Sequence, residues 1–283
     1  GSTEVGRKIG EQAGHRLIKA SLELGGKNPM VVLDDADLEK AVYVATHGSY
    51  AGAGQLCISF ERIYVQSGIY DRFLEAFVAR TKSLRIGAAL DYSVDIGSLI
   101  GPSQLEKTLE HVDDARAKGA QVLAGGRSRP DIGPYFFEPT ILTGVTDGMQ
   151  CYREETFGPV VSVYKVDSVE EAISGANDTE YGLNAAVISR DERKAVDVAS
   201  RIRAGTVSVN ETYQVAWSAM GAPMGGMKDS GLGRRHGIEG MLKYTESQNI
   251  ALSRMTPLFP LPGLSVGGSA AAFVAMLRLM KRI

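Results

Sequence analysis

Cysteine is scarce in this sequence, with two in 283 residues at positions 57 and 151, no C-x-x-C pair, and histidine occurring only four times. So few ligands at such spacings make neither a disulfide framework nor a zinc site, and no metal is expected. Long apolar runs are missing too. No stretch of about 18 uninterrupted apolar residues reads as a membrane span, and no basic segment followed by an apolar one opens the chain as a leader would. A net charge of −2 gives no basic face for nucleic acid. These exclusions leave a reducing compartment as the expectation, read as cytoplasmic.

What is present is ordinary for a globular protein with one or two cores: 44% hydrophobic and 23% charged residues. Apolar, β-rich runs alternate with amphipathic helical patterns along most of the chain. That rhythm predicts an α/β fold with a largely parallel sheet. Ser2 or Thr3 is positioned to cap a helix reaching about residue 13, and 18–24 and 29–33 read as strands. Asp34 to Asp37 supply caps for a helix that places Leu38, Ala41, Val42 and Ala45 on one face. Further strands are expected at 62–65, 160–166, 183–188 and 206–209, and helices at 69–84, 102–118, 169–176 and 192–203. The Gly-rich segment 221–233 is too polar for either kind of element. Residues 243–252 read as a helix end followed by a strand, and 257–268 as a Pro/Gly linker. The stretch 270–283 sets Phe273, Val274, Leu277 and Met280 beside Arg278, Lys281 and Arg282. A basic amphipathic helix of this kind docks on protein more readily than on an anionic membrane.

Cys57 lies in GQLCISFER at 54–62, after Gly52, Ala53 and Gly54. Taken alone it has two readings, a small buried hydrophobe or a nucleophile given room by its small neighbours. Glu23, in ELGGK at 23–27, stands at the end of a predicted strand; it is a surface charge or a carboxylate aimed from the strand's carboxyl end, where open α/β sheets build their sites. The glycines after it permit close backbone approach to a ligand.

Six segments taken together carry a resemblance: GSTEVG at 1–6, LELGGKNP at 22–29, GQLC at 54–57, EETFGPV at 154–160, YGLNAAV at 181–187 and GGMKDSGLGR at 225–234. In this order, with 34 positions between Glu23 and Cys57 (57 − 23), the chain resembles the aldehyde dehydrogenase superfamily up to about Leu252. The resemblance implies that Cys57 is the nucleophile that adds to an aldehyde carbonyl and Glu23 the general base that activates water against the resulting thioester. It implies NADP or NAD as cofactor, with Gly1 and Ser2 meeting the pyrophosphate at a helix N-terminus, Gly25 approaching the nicotinamide, and Glu155 and Phe157 holding its ribose and packing beside its ring. Phe157 also has an ordinary core reading. Cys151 matches no functional position.

The same resemblance implies four parts: residues 1–25 as a remnant of the dinucleotide-binding domain, 26–230 as the catalytic domain, 231–256 as a returning helix and oligomerisation strand, and 257–283 as linker and tail. Family members carry a further N-terminal half, so the chain reads as a C-terminal portion. Segments such as GQLCISFERIYV look most like a bacterial, NADP-preferring succinate-semialdehyde branch. A carboxylate-bearing substrate calls for a nearby arginine, yet Ala51 stands where the better-known members have one, and Arg62 reads as structural. Trp217 and Ser218 are candidates for the substrate funnel. The expected partners are a small aldehyde and other copies of the chain, as a dimer or tetramer. Two alternatives stay open: a Cys57/Glu23 esterase that needs no cofactor, and a non-catalytic oligomerisation module.

Overall fold

Along three adjacent strands the side chains divide strictly by parity, because successive residues of a strand point to opposite faces. Met30, Val32, Ile63, Val65, Ala186 and Ile188 enter one apolar core, whereas Val31, Leu33, Tyr64, Ala185 and Val187 enter a second. A sheet buried on both faces reads in sequence as continuous apolar runs, and this is why those runs looked like parallel strands. The computed structural model describes all residues except 253, 255–259 and 282–283.

The main sheet has seven strands: β1 (Asn28–Val32), β2 (Phe60–Gln66), β3 (Gln121–Ala124), β4 (Thr140–Thr143), β5 (Val160–Val166), β6 (Asn184–Ile188) and β7 (Thr206–Val209). Their spatial order is β3-β4-β5-β2-β1-β6-β7, with every pair parallel except β3 and β4. The helices that precede or connect these strands are α1 (Thr3–His15), α2 (Leu38–Tyr50), α3 (Ser67–Lys82), α4 (Pro102–Ala117), α5 (Val169–Asn177) and α6 (Glu192–Ser200). Helices α2, α3 and α4 close the first core, through residues such as Val44, Phe73, Phe77 and Val112. Helices α5 and α6 close the second, through Ala172, Ile173, Ala195 and Val198. The result is the three-layer α/β architecture expected from the alternating pattern.

The caps follow the sequence closely. Ser2 accepts from the N–H of Val5, and Asp37 accepts from that of Lys40, each satisfying a free donor in a first helical turn. Phe77, fully buried, stacks on Tyr50 with ring centres 6.1 Å apart and lies 5.5 Å from Phe73. A Phe77→Ala variant is expected to lose about 3–5 kcal/mol of stability by leaving a cavity that these rings cannot fill, measurable by urea unfolding. A loss below about 1 kcal/mol would contradict that packing.

Two expectations need correction. The strand expected at 18–24 shrinks to Leu22–Glu23, which pairs antiparallel with Gly231–Leu232 and stays outside the main sheet. The Gly-rich segment 221–233 contains that partner and a second two-residue strand, Met227–Lys228, paired with Tyr181–Gly182. Glycines without side chains allow such close, short ladders. Among the described residues of this single chain, 244–252 form no strand; the pairing expected there is with another copy.

By internal contacts the described chain divides into two units, residues 1–244 and 245–283. The division falls inside the segment 231–256 expected as one piece. The first unit ends with a short helix, Gly237–Leu242, and the second contains α7 (Val266–Met280), capped by Ser265. Part of the expected linker, 257–259, and the last two residues of the expected tail lie outside the described residues. Among the described residues no helix is long and apolar enough to cross a membrane.

Candidate functional site

Cys57, Gly25–Gly26 and Glu155 each precede a strand of the main sheet: Cys57 stands three residues before β2, Gly26 two before β1, and Glu155 five before β5. The site is therefore built on the amino ends of these parallel strands. Glu23 does end a strand, but that strand is the small ladder with Gly231–Leu232 rather than one of the main sheet, and the chain then turns through the two glycines into β1.

The loop carrying Cys57 is held from both sides of the residue. After α2 the backbone passes through Gly52, Ala53 and Gly54, all with left-handed φ of 61°, 57° and 71°. At Gly54 a Cβ would come within 2.1 Å of the Gly158 carbonyl, so no larger residue fits without displacing the next loop. Asn28 then donates its amide to the carbonyls of Cys57 and Ser59, at 2.9 and 2.8 Å, while its own oxygen accepts the Asn184 N–H. Asn184 in turn donates to the Ile58 carbonyl at 3.0 Å. Two buried asparagines from neighbouring strands thus fix the backbone at the thiol residue and the two residues after it. Sequence reasoning missed both, because an asparagine at a strand start carries no chemical signature of its own.

Two carboxylates surround the half-buried thiol. Burial pushes the Cys57 thiol above its usual value, and the charges of Glu155 and then Glu23 push it further in the same direction. Glu23 itself is raised by burial against the opposing pull of Arg235, Lys243 and Arg234. Glu155 is raised to about 7, by burial first and by Glu61 second, while its carboxylate accepts the Gly26 N–H at 2.8 Å. Gly25 has no room for a side chain: a Cβ there would sit 2.6 Å from the Glu155 carboxylate.

An acid raised from 4.5 to about 7 favours the folded state only while protonated, so its contribution is lost as pH rises from about 4.5 through 7. A Glu155→Gln variant is expected to lose that part of the pH slope and to gain stability relative to the parent at pH 8 but not at pH 4. Denaturant unfolding at the two pH values checks this, and an equal difference at both would contradict it.

Phe157 is half-buried and held at a left-handed φ of 55°. Behind its turn lies a buried ion pair, Lys27–Glu61, that the sequence reasoning did not single out. Arg62, expected to be structural, is so: it donates to the carbonyls of Lys27, Gly175, Ala176 and Asp178 and to the Tyr64 hydroxyl. Cys151 is buried in the first core.

Of the other expected site residues, Gly1 and Ser2 are exposed at the start of α1, with the Gly1 amino group donating to the Glu23 carbonyl at 2.9 Å. That places the helix N-terminus against the backbone of Glu23. The Ser2 hydroxyl is engaged as the helix cap. Trp217 lines a pocket with Ile58, Leu183, Asn184, Tyr213 and Met224, and Ile58, Leu183, Tyr213 and Met224 belong to the apolar cluster that Cys57 joins. Ser218 does not line it; its hydroxyl turns back to the Val215 carbonyl at 2.9 Å.

Residues 1–250 match the model of the aldehyde dehydrogenase family. The chain belongs to that family. Among curated relatives of this aldehyde dehydrogenase chain, a Mycolicibacterium smegmatis protein provisionally named an NADP+ succinate-semialdehyde dehydrogenase is 53% identical over all 283 residues, which is 55% of its own length. A betaine aldehyde dehydrogenase of Mesorhizobium japonicum is 43% identical over 88% of the chain and 51% of the relative. The solved structure of Staphylococcus aureus betaine aldehyde dehydrogenase in complex with NAD+ superimposes with a TM-score of 0.81 at 40% identity, over 86% of this chain and 48% of that one. The chain thus spans about half the length of the relatives it matches.

Proposed function

We propose that the protein oxidises an aliphatic aldehyde to its carboxylate with NADP or NAD, using Cys57 as nucleophile and Glu23 as general base. The observation that carries this reading is the convergence on one half-buried thiol of two carboxylates from separate segments, both with raised proton affinity. A carboxylate whose proton affinity burial has raised, as at Glu23, suits water activation, and a thiol in a cleft suits covalent catalysis.

The residues present fit the nicotinamide end of a dinucleotide: Gly25 leaves space where a side chain would fill the cradle, Glu155 offers a carboxylate for ribose hydroxyls, and α1 presents free N–H groups. Gly1, Ser2, Gly25, Glu155 and Phe157 would hold the cofactor, which when bound accepts the hydride of the oxidised aldehyde. The chain supplies the rest. Cys57 gives its thiol proton to Glu23, which passes it to solvent; the thiolate adds to the carbonyl carbon, and the Cys57 backbone N–H stabilises the oxyanion that forms. After oxidation the acyl group remains on sulfur as a thioester. Glu23 then takes a proton from water, the hydroxide displaces the thiolate, and the carboxylate leaves.

For the substrate we favour a semialdehyde such as succinate semialdehyde, on the strength of the 53% identical relative. A second reading, a neutral or cationic aldehyde, is supported by Arg62, whose donor nitrogens are all committed to the fold, and by Tyr213 in the apolar cluster that Cys57 joins. Steady-state kinetics on succinate semialdehyde and betaine aldehyde, each with NADP+ and NAD+, decide between them; no reduced nicotinamide from any combination would overturn the proposed activity. We further take the protein to be a homo-oligomer in which residues 244–252 pair with another copy, and cytoplasmic, in keeping with its two free cysteines. A monomer by sedimentation would remove the first of these.

A further inference from the structure

One buried charge pair has no part in the chemistry above. Lys27 and Glu61 meet with side chains only 1% and 3% exposed. Apolar residues of the same volume commonly serve stability as well as such a pair does, so its presence asks for another role. Glu61 does more than neutralise Lys27. Its two oxygens accept the Thr156 N–H at 3.0 and 2.9 Å, and one of them also accepts the Phe157 N–H at 2.9 Å. The flanking residues of this turn are the ones that matter: Glu155 binds the N–H of Gly26, the neighbour of Lys27, and Phe157 sits at a left-handed φ of 55° that a bulky residue keeps only under restraint. Helix α4 anchors Thr156 from the other side, Gln104 donating to its carbonyl at 2.9 Å and His111 lying 3.1 Å from its hydroxyl. Among the described residues, the acceptor for the Phe157 N–H is Glu61.

We propose that Glu61 is a positioning residue: paired with Lys27, it fixes the 155–157 turn so that Glu155 and Phe157 face the cofactor end of the site in a single geometry. This rests on the assignment of Glu155 and Phe157 to the cofactor made above. A glutamine at 61 keeps the size but offers one accepting oxygen and an NH2 group that confronts the backbone donors, so the turn loosens. The charged and titratable groups facing Glu155 are Glu61, Lys27, Lys107 of α4, the Cys57 thiol and the Tyr181 hydroxyl. Removing the charge of Glu61 leaves the two lysines unopposed, and Glu155 becomes a stronger acid.

The test compares the wild-type protein with Glu61→Gln, with Glu155→Gln, and with Lys27→Met/Glu61→Met, which buries no charge and guards against a folding failure of the single variant. Three quantities are measured on each: the melting temperature, the dissociation constants of NADP+ and NAD+, and the pH profile of Cys57 alkylation by iodoacetamide, read on the Cys57 peptide. We expect a wild-type alkylation profile with an inflection near pH 7 that Glu155→Gln abolishes and Glu61→Gln moves to lower pH. We expect both position-61 variants to bind the dinucleotide about tenfold more weakly, the double variant doing so with a melting temperature near that of the wild type. A folded double variant with wild-type affinity, together with an unmoved inflection in Glu61→Gln, would overturn the role of Glu61. Failure of the wild-type protein to bind either dinucleotide would instead overturn the cofactor assignment, and the alkylation profile would still decide whether Glu61 governs Glu155.

Discussion

Cys57→Ala is expected to lower aldehyde oxidation by about 10⁴-fold or more, with the melting temperature close to that of the parent. Removing a nucleophile deletes the covalent pathway, and the residual rate reflects binding and oxyanion donors alone. The fold should tolerate the change because the loop is held by its backbone: the anchors are the carbonyls of Cys57, Ile58 and Ser59, bound by Asn28 and Asn184, and none involves sulfur. Reduced-nicotinamide formation and a thermal melt on the same sample provide the measurement. Retention of more than a few per cent of the parental rate would rule out Cys57 as nucleophile. The esterase alternative is addressed by the same variant, since ester hydrolysis without nucleotide should fall equally if it uses this thiol.

The second large effect concerns stability. Lys27→Met is expected to cost about 3–5 kcal/mol, because it leaves the Glu61 carboxylate buried with backbone N–H groups but no counter-charge. Urea unfolding measures it, and a double-mutant cycle with Glu61→Met isolates the pair: the doubly substituted protein should recover most of the loss. A loss under about 1 kcal/mol for Lys27→Met would mean that water or another cation reaches Glu61. The two predictions separate roles cleanly, since one removes chemistry and spares the fold while the other strains the fold behind the chemistry.

Helix α7 shows how much local pattern foretells and where it stops. Its apolar and basic residues gave the helix from sequence, and the structure has it at Val266–Met280 with a Ser265 cap. Pattern says nothing of what such a helix packs against. Residues 244–252 make the same point from the other side: they read as a strand in sequence, but a strand exists only where a second backbone supplies the hydrogen bonds.

Within the chain, β5 and β7 were legible to the residue, β5 as a mostly apolar run buried on both faces and β7 as the β-branched alternation Thr-Val-Ser-Val. The same holds for the caps at Ser2 and Asp37, where one side chain meets an N–H three residues on. Cys57, Glu23 and Glu155 were singled out through motifs, and the structure brings the three side chains near one another. Tertiary structure alone decided that Cys57 and Glu155 lie before the amino ends of main-sheet strands while Glu23 sits in a separate small ladder, that Lys27 and Glu61 meet 34 residues apart, and that Asn28 and Asn184 clamp the loop from 156 residues apart. Each of those contacts joins segments distant in sequence. Its energy depends on burial and geometry, which only the folded chain supplies.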